Sequence, residues 1–392
     1  MQVPTRSRGV RRVTMNKAGS RRFATDSSSV DPKIEDVWER LSKKLAAVGV
    51  DEQALKAAAA EGPDALRRLV ARHIAFPGAR RYTPSEVYAK SGVDQETAEA
   101  LWSAMGFPLV PEDEPAFTDA DIDALVTATK LFDRADMDRA IVLQQARSMG
   151  LAASRIAASH QDVIGDLVPL TDPTRAAEEA LSLADEALPA TDQLLVYIYR
   201  RHLAAAIEQR MLVTPGEEGG VNMAVGFADL SGFTALSQEL DVRELATLID
   251  RFNASTTDVV AQAGGRVIKT IGDEIMFATQ DAGSAASIAL ALLDHVSGKD
   301  ELPLLKVGVA RGVVITREGD IFGSPVNLAN RLVTTAKPDS ALVDETTRDA
   351  LEGDERFYFT SLGKRYLKGL GLVRTYRLRA PGSKPARRVK RH

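Results

Sequence analysis

The spacing of apolar residues divides the chain into two parts. Between residues 32 and 211, apolar side chains recur about every three to four positions, which is the spacing of amphipathic helices. Glycine and proline interrupt this pattern, for example at Phe76-Pro77-Gly78, and residues of these types commonly end helices. This half is therefore predicted to be all-α. The clearest early series is Val37, Leu41, Leu45 and Val48.

A segment without glycine or proline, 191–212, closes this half. It is predicted to be one long amphipathic helix, because a single apolar stripe runs along it. The sequence that follows, Thr214 to Gly220, contains one proline and three glycines and is typical of a flexible linker. We therefore expect a connector at 191–220 after a helical regulatory domain at 32–190. The stripe consists of Val196, Tyr199, Leu203 and Ile207.

The pattern changes to mixed strands and helices in a second domain at 221–379. This order predicts an α+β fold in which helices cover one face of a sheet. The expected elements are a strand at 221–229, a helix at 235–262, a hairpin at 265–278, a helix at 281–297, a strand at 304–314, a helix at 324–337 and shorter strands up to 379.

Composition fits a soluble globular protein, since 44% of the residues are hydrophobic and 27% are charged. No apolar run approaches the roughly 20 residues of a membrane-spanning helix. The chain has no cysteine, which excludes disulfides and thiolate metal sites and fits a reducing compartment. A cytoplasmic location is expected, and peripheral membrane association is left open.

Both ends of the chain are basic although the formal net charge is −4. Basic side chains crowd the first residues before Asp26 and the last residues after Ser383. Runs of like charge are typical of solvated, disordered segments. Basic tails are therefore predicted at 1–31 and 380–392.

A segment of the first half, Tyr82–Val93 followed by Asp94–Met105, resembles the helix-turn-helix of MerR-like regulators. The second helix would carry Asp94, Glu96 and Glu99 but no lysine or arginine. Such a helix repels the phosphates that supply most of the affinity for DNA. DNA binding is therefore not expected, and the motif is interpreted as a packing unit.

Two aspartates in the second domain have the positions of metal ligands. The apolar strand Ala224–Asp229 ends on one carboxylate, and Gly272-Asp273 fits the tip between two later strands. Carboxylates at the ends of adjacent strands form an oxygen site for hard divalent ions. The turn after Asp229 leads into a helix, where backbone N–H groups near Phe233 and Thr234 can bind phosphate. The alternative is that both aspartates only form a cap and a turn.

A third segment, Gly319–Arg331, adds groups suited to a polyphosphate. Ser324 is a good N-cap and Pro325 a good first helical residue, so Asn327 and Arg331 are predicted to share one helix face. That face offers an amide donor and a guanidinium fork.

These segments together resemble the class III adenylate and guanylate cyclases over roughly the last 160 residues. The motifs occur in family order: Phe227-Ala-Asp-Leu-Ser-Gly-Phe-Thr234, Lys269-Thr-Ile-Gly-Asp-Glu274 and Asp320-Ile-Phe-Gly323 with Asn327 and Arg331. The resemblance implies a ferredoxin-like catalytic domain that converts ATP to cyclic AMP. It also implies two Mg²⁺ or Mn²⁺ ions per site. The implied roles are metal binding by Asp229 and Asp273, base selection by Lys269 and Asp320, ribose orientation by Asn327, transition-state stabilisation by Arg331 and phosphate contact by Lys368.

The preference for adenine also follows from side-chain chemistry. Adenine presents one acceptor and one donor on its Watson–Crick edge, while Lys269 only donates and Asp320 only accepts. Strand alternation is expected to place Lys269 on the same face as Val267 and Ile271, an unusual position for a solvated lysine. ATP is therefore the favoured substrate.

In this family each active site spans two catalytic domains, so the resemblance implies a homodimer with two equivalent sites. One rival interpretation is a diguanylate cyclase or polymerase-palm relative, but Ile271 stands where those proteins have a second glycine before Gly272-Asp273-Glu274. The other is a degenerate cyclase-like sensor or transcription regulator that uses the helix-turn-helix-like segment.

The first half resembles, more loosely, the helical inhibitory half of some actinobacterial cyclases, including a pH-responsive type. A small molecule, a proton or a lipid is left open as its signal. His202 lies beside the apolar stripe of the connector helix, and histidine changes charge in the physiological pH range. A pH response through His202 is therefore a hypothesis.

Overall fold

The structure is a computed structural model that describes residues 32–134, 137–167, 179, 181–212, 220–299 and 301–382. The predicted tail at 1–31, nearly all of the tail at 380–392 and the linker at 213–219 lie outside these residues. The chain divides into two compact units. They comprise Met1–Arg139 with Met149–Leu194, and Ala140–Ser148 with Leu195–His392.

The first part of the chain is helical, as its periodicity predicts. A small core holds its first helices together, where Leu41 and Leu45 pack with Val70 and Ile74. Asp51 caps the second of these helices by accepting a hydrogen bond from Ala54 N at 2.6 Å. The helices are α1 (Pro32–Ala47), α2 (Glu52–Glu61), α3 (Pro63–Ala75), α4 (Pro84–Ser91), α5 (Gln95–Ala104), α6 (Asp119–Arg134) and α7 (Arg139–Leu167).

Helices α4 and α5 form the predicted helix-turn-helix. Thr83 and Glu86 build a capping box at the start of α4, and Gly92 ends that helix with a left-handed φ of 70°. The acids of α5 have local roles: Asp94 caps the helix, and Glu96 pairs with Arg139 at 2.7 Å. Val87, Ala98 and Leu101 of the two helices are buried, which supports a packing role for the motif.

The connector helix α8 (Leu188–Leu212) begins before the predicted residue 191, directly after a π-helical turn at Leu183–Ala187. Its apolar stripe is largely uncovered in the single chain, with Tyr199 64% exposed and Leu203 43% exposed. Among the described helices, none combines the length and the hydropathy needed to cross a membrane.

An eight-stranded sheet organises the second part of the chain. Its order is β2-β3-β1-β4-β6-β8-β7, with β5 added to β4, and neighbouring strands are antiparallel except β4 and β6. The predicted α+β fold class is confirmed. The strands are β1 (Val221–Leu230), β2 (Arg266–Ile271), β3 (Glu274–Thr279), β4 (Leu305–Arg317), β5 (Asp320–Phe322), β6 (Ser340–Asp344), β7 (Tyr358–Leu367) and β8 (Gly371–Arg379).

Helices cover both faces of this sheet, so the prediction of one covered face is wrong. Phe252 and Leu292 pack on one face, whereas Ala329 and Leu332 pack on the other. Alternating strand residues are apolar on both sides, which requires two cores. The helices are α9 (Phe233–Glu239), α10 (Val242–Gln262), α11 (Ala282–His295), α12 (Ser324–Thr335) and α13 (Glu345–Asp349).

The single helix predicted at 235–262 is two helices, α9 and α10. Leu240 is extended, and Asp241 starts α10 by accepting hydrogen bonds from Arg243 N and Glu244 N. Glu244 completes a capping box by accepting from Asp241 N at 2.9 Å. This capping signal lies within a continuous helical pattern, which is why periodicity alone did not reveal the break.

Candidate functional site

The structure places the two predicted metal aspartates together at one end of the sheet. Asp229 lies near the end of β1, and Asp273 lies in the β2–β3 turn after Gly272, whose φ is 62°. Leu230 N donates to Asp273 O at 3.2 Å, which ties the turn to the end of β1. The backbone therefore holds both carboxylates beside each other.

Three acids and one lysine determine the electrostatics of this end of the sheet. Lys306 Nζ forms an ion pair with Asp229, and both side chains are about four-fifths buried. Burial raises the pKa of Asp273, and the adjacent Asp229 carboxyl raises it further, whereas its own backbone N–H and Lys306 oppose the shift. Burial and then the charges of Asp229 and Asp273 raise the pKa of Glu274 to about 7. The site carries an excess of negative charge that favours a cation.

Glu274 and Lys306 were missed by the sequence reasoning. The strand register brings both of them to Asp229, which pairs with Glu274 of β3 and with Lys306 of β4. Glu274 also lies 3.5 Å from Asn330 Nδ2 of α12. Glu274 follows Asp273 in sequence and was available as a candidate, but only the pairing of β4 with β1 reveals Lys306.

The donor set fits a hard divalent cation. Asp229 and Asp273 supply carboxylate oxygens, which are the ligands that Mg²⁺ and Mn²⁺ prefer. Within the described residues, no group of three or more histidine, cysteine or acidic side chains has the arrangement of a complete metal cage. Mg²⁺ is commonly held by one or two carboxylates, with substrate phosphates and water completing its shell. The site therefore suits an ion that arrives with a phosphorylated substrate.

The predicted base-selecting residues form an ion pair, with Lys269 Nζ donating to Asp320 Oδ2 at 2.5 Å. Burial alone would raise the pKa of Asp320, but hydrogen bonds from Lys269 and from Ile321 N, together with the lysine charge, lower it. About a third of each side chain is exposed. A donor and an acceptor are thus presented side by side.

A β-bulge explains the position of Lys269 and corrects the predicted alternation. The register with β3 shifts between Val267 and Lys269, so that Val267 pairs with Phe277 and Lys269 with Met276. Phe277 and Met276 belong to cores on opposite faces of the sheet. Lys269 therefore does not share a face with Val267, because the extra residue reverses the alternation.

Helix α12 presents the predicted amide and guanidinium groups on one face. Asn327 is exposed and Arg331 is half-buried, and neither side chain forms a hydrogen bond or ion pair with another described residue. The helix begins at the predicted residue 324, but Gly323 rather than Ser324 occupies the N-cap position. The structure does not bring Asn327 or Arg331 into an ion pair or hydrogen bond with Asp229 or Asp273.

The turn after β1 carries further polar groups. Ser231 Oγ is buried and has no hydrogen-bond partner among the described residues. Phe233 and Thr234 open α9, where the first N–H groups have no intrahelical acceptor. These groups are available to an anion beside the two aspartates.

Lys368 is exposed in the β7–β8 turn, away from the aspartates of its own chain. The strand register explains this separation. Asp229 pairs with Lys306 at the start of β4, whereas the β7–β8 turn lies beyond Thr375, which pairs with Asp344 at the end of the parallel strand β6. Lys368 and Asp229 thus lie at opposite ends of the sheet.

Comparison with known proteins identifies relatives of this chain. The family described as "Adenylate and Guanylate cyclase catalytic domain" matches residues 218–380. An adenylate cyclase of Streptomyces coelicolor is 37% identical over 331 residues, covering 76% of this chain and 86% of that protein. A pH-sensitive adenylate cyclase of Mycobacterium tuberculosis is 28% identical over 328 residues, covering 79% and 81% respectively. The crystal structure of the adenylyl cyclase CyaB from P. aeruginosa has a TM-score of 0.37 and 23% identity, and the match covers 43% of this chain and 95% of that one.

Proposed function

The chain belongs to the family of adenylate and guanylate cyclases, and we propose that it converts ATP to 3′,5′-cyclic AMP and pyrophosphate. The ion pair between Lys269 and Asp320 is the observation that carries this choice of substrate. Adenine offers its N1 as an acceptor and its N6 amino group as a donor, which matches a lysine beside a carboxylate. Guanine has a donor at N1 and would leave Lys269 facing an N–H group.

This proposal is tested by the ratio of kcat/KM for ATP to that for GTP. Replacing Lys269 or Asp320 by alanine leaves one edge group of adenine unpaired, so we expect the ratio to fall by at least about tenfold. Lys364→Ala is the matched control, because Lys364 is an exposed lysine of β7 away from this pair. An unchanged ratio in both alanine variants, with the fold intact by circular dichroism, would contradict the assignment.

The aspartate pair is proposed to hold the divalent ions that this family uses. Such ions neutralise phosphate charge and lower the pKa of a bound hydroxyl. The chain itself then positions the substrate: the Ser231 hydroxyl and the N–H groups of Phe233 and Thr234 donate to phosphate oxygens. The ammonium of Lys306 limits the negative charge around Asp229 and lowers the cost of bringing a polyphosphate to three acids.

The remaining groups are proposed to come from a second copy of the chain. Asn327 would orient the ribose, Arg331 would stabilise the negative charge on the oxygens of the reacting phosphorus in the transition state, and Lys368 would contact phosphate. Two observations support this: Asn327 and Arg331 have no partner among the described residues, and Lys368 lies at the far end of the sheet from Asp229. The enzyme would then be a homodimer with two equivalent sites.

Regulation by the N-terminal half is proposed to act through helix α8. The similarity to the Streptomyces enzyme exceeds the length of the catalytic domain and so extends into this half. His202 is exposed on α8 and has no partner among the described residues, while Arg200 and Arg201 precede it. A proton on His202 would add a third positive charge to one helical turn. If α8 has two packing arrangements, such a charge would shift the balance between them.

The regulatory proposal predicts that residues 214–392 alone turn over faster than the full chain near neutral pH and show a flatter pH profile. His202→Ala in the full chain should weaken the response to pH, and His295→Ala is the control because His295 is exposed in the catalytic domain. The measurement is cyclic AMP formation from pH 5.5 to 8.5. Identical profiles and turnover for the fragment and the full chain would rule out inhibition by the N-terminal half.

A further inference from the structure

The first unit contains a cavity of about 250 Å³ that the cyclase reaction does not use. It lies among α4, α5, α6 and the loop that joins α5 to α6. Most of its wall is apolar or aromatic, and several of these side chains also belong to the core of the unit. The apolar wall includes Val87, Ala98, Trp102, Leu109, Phe117 and Leu125.

Two carboxylates also line this cavity. Glu99 is half-buried, and its Oε1 accepts from Gln95 Nε2 at 2.8 Å and from Tyr88 OH at 3.5 Å, both of which are neutral donors. Glu112 is exposed at the cavity and forms no ion pair with a described residue. Among the residues that the structure describes, no lysine, arginine or histidine lines the cavity. A partly desolvated carboxylate without a counter-ion is costly, so the cavity favours a positive charge.

The hydroxyl of Tyr88 responds to this negative potential. Burial raises the pKa of Tyr88, and the charges of Glu99 and Glu112 raise it further. Both carboxylates therefore act on the hydroxyl of Tyr88, so their combined negative potential extends into the cavity.

The aromatic wall complements a cation with an apolar body. Trp102 packs edge-on against Phe117, with 5.0 Å between the ring centroids. The indole N–H of Trp102 already donates to Pro108 O at 3.2 Å, so the ring contributes apolar surface and π electrons to the cavity. Aromatic faces next to carboxylates attract organic ammonium groups and repel anions.

We propose that this cavity binds an organic cation that carries an alkyl or aryl group, with its ammonium beside Glu99 and Glu112 and its apolar part against Trp102 and Phe117. Fatty acids and nucleotides are disfavoured, because their anionic groups would face two carboxylates. The proposal concerns the first unit alone and is independent of the catalytic assignment.

The experiment uses the full-length chain with Trp38→Phe, which leaves Trp102 as the single tryptophan, since the chain has two. Benzyltrimethylammonium is titrated at constant ionic strength while the emission of Trp102 is recorded. Neopentylbenzene, its neutral isostere, and 3-phenylpropionate, an anion of similar size, are titrated in parallel. We expect a saturable change with the cation and binding at least about tenfold weaker for the neutral and anionic compounds.

Variants separate charge from fold. Glu99→Gln and Glu112→Gln should each weaken binding of the cation by at least about threefold, and together by at least about tenfold. Glu114→Gln removes the same charge from an exposed residue of the same loop that does not line the cavity, and it should bind like the parent. Circular dichroism and thermal melting establish that each variant is folded. No saturation up to roughly 10 mM cation, equally tight binding of the anion or the neutral compound, or an equal loss in Glu114→Gln would overturn the proposal.

Discussion

Alanine at Asp229 or at Asp273 is expected to abolish cyclic AMP formation while leaving the protein folded. The expected loss in kcat is on the order of a thousandfold or more, because a bound divalent ion contributes several kcal/mol to the stabilisation of transferring phosphate. Asp229 and Asp273 lie beside each other at one end of the sheet. No other two predicted site residues form such a pair of acids.

The folded state should survive because neither carboxylate supports the core. Asp273 lies in a turn whose geometry depends on Gly272 and on a hydrogen bond from Leu230 N to the Asp273 backbone oxygen, both of which remain in the alanine variant. Asp229→Ala would leave Lys306 without its partner, which is destabilising for a mostly buried lysine. Asp229→Asn keeps the shape and a polar contact and should be equally inactive, so it separates loss of metal binding from loss of stability.

The matched control for these variants is Asp258→Ala, which removes an exposed carboxylate from α10. Activity is measured with saturating Mn²⁺ and ATP, and Mn²⁺ binding is measured without nucleotide. We expect wild-type turnover for Asp258→Ala. Turnover within about tenfold of wild type in either aspartate variant would contradict the two-metal assignment.

The sequence predicted this end of the sheet because the relevant signals are local. An apolar run that ends on Asp229 and a glycine before Asp273 specify a strand end and a tight turn. Asn327 and Arg331 share a helix face by their spacing alone, so an error of one residue at the N-cap did not change their predicted relation.

Features that depend on pairing between distant strands could not be predicted from local patterns. In the sequence, Lys306 is only a lysine within an apolar run. Its role becomes visible when β4 pairs with β1, because this pairing places Lys306 opposite Asp229. A bulge places Lys269 on the sheet face where it meets Asp320, whereas period-two alternation assigns it to the face of Val267. The second covered face of the sheet was missed for a similar reason, because the apolar pattern of α12 predicts a buried helix face but not the sheet face that it covers.

Two inactive variants should restore activity when they are mixed, if each active site draws its residues from two chains. Arg331 has no ion-pair partner among the described residues of its own chain, and a half-buried guanidinium of this kind is suited to a phosphate held by the partner's aspartates. In a heterodimer of Asp273→Ala and Arg331→Ala chains, one site carries both lesions and the other carries none. Random exchange of equal amounts yields one half heterodimers, each with one of two sites intact, so we expect about a quarter of wild-type activity.

The control mixture combines Asp229→Ala with Asp273→Ala. Both lesions then affect the same half of a shared site, so each site of the heterodimer lacks one metal ligand and the mixture should remain inactive. Subunit exchange is verified by labelling the two chains with different tags and isolating the mixed dimer. The same purified heterodimer is assayed with Mn²⁺ and ATP, where one intact site of two should give about half of wild-type activity. Recovery in the first mixture alone supports the shared site, whereas an inactive heterodimer of Asp273→Ala and Arg331→Ala would place all catalytic groups within one chain.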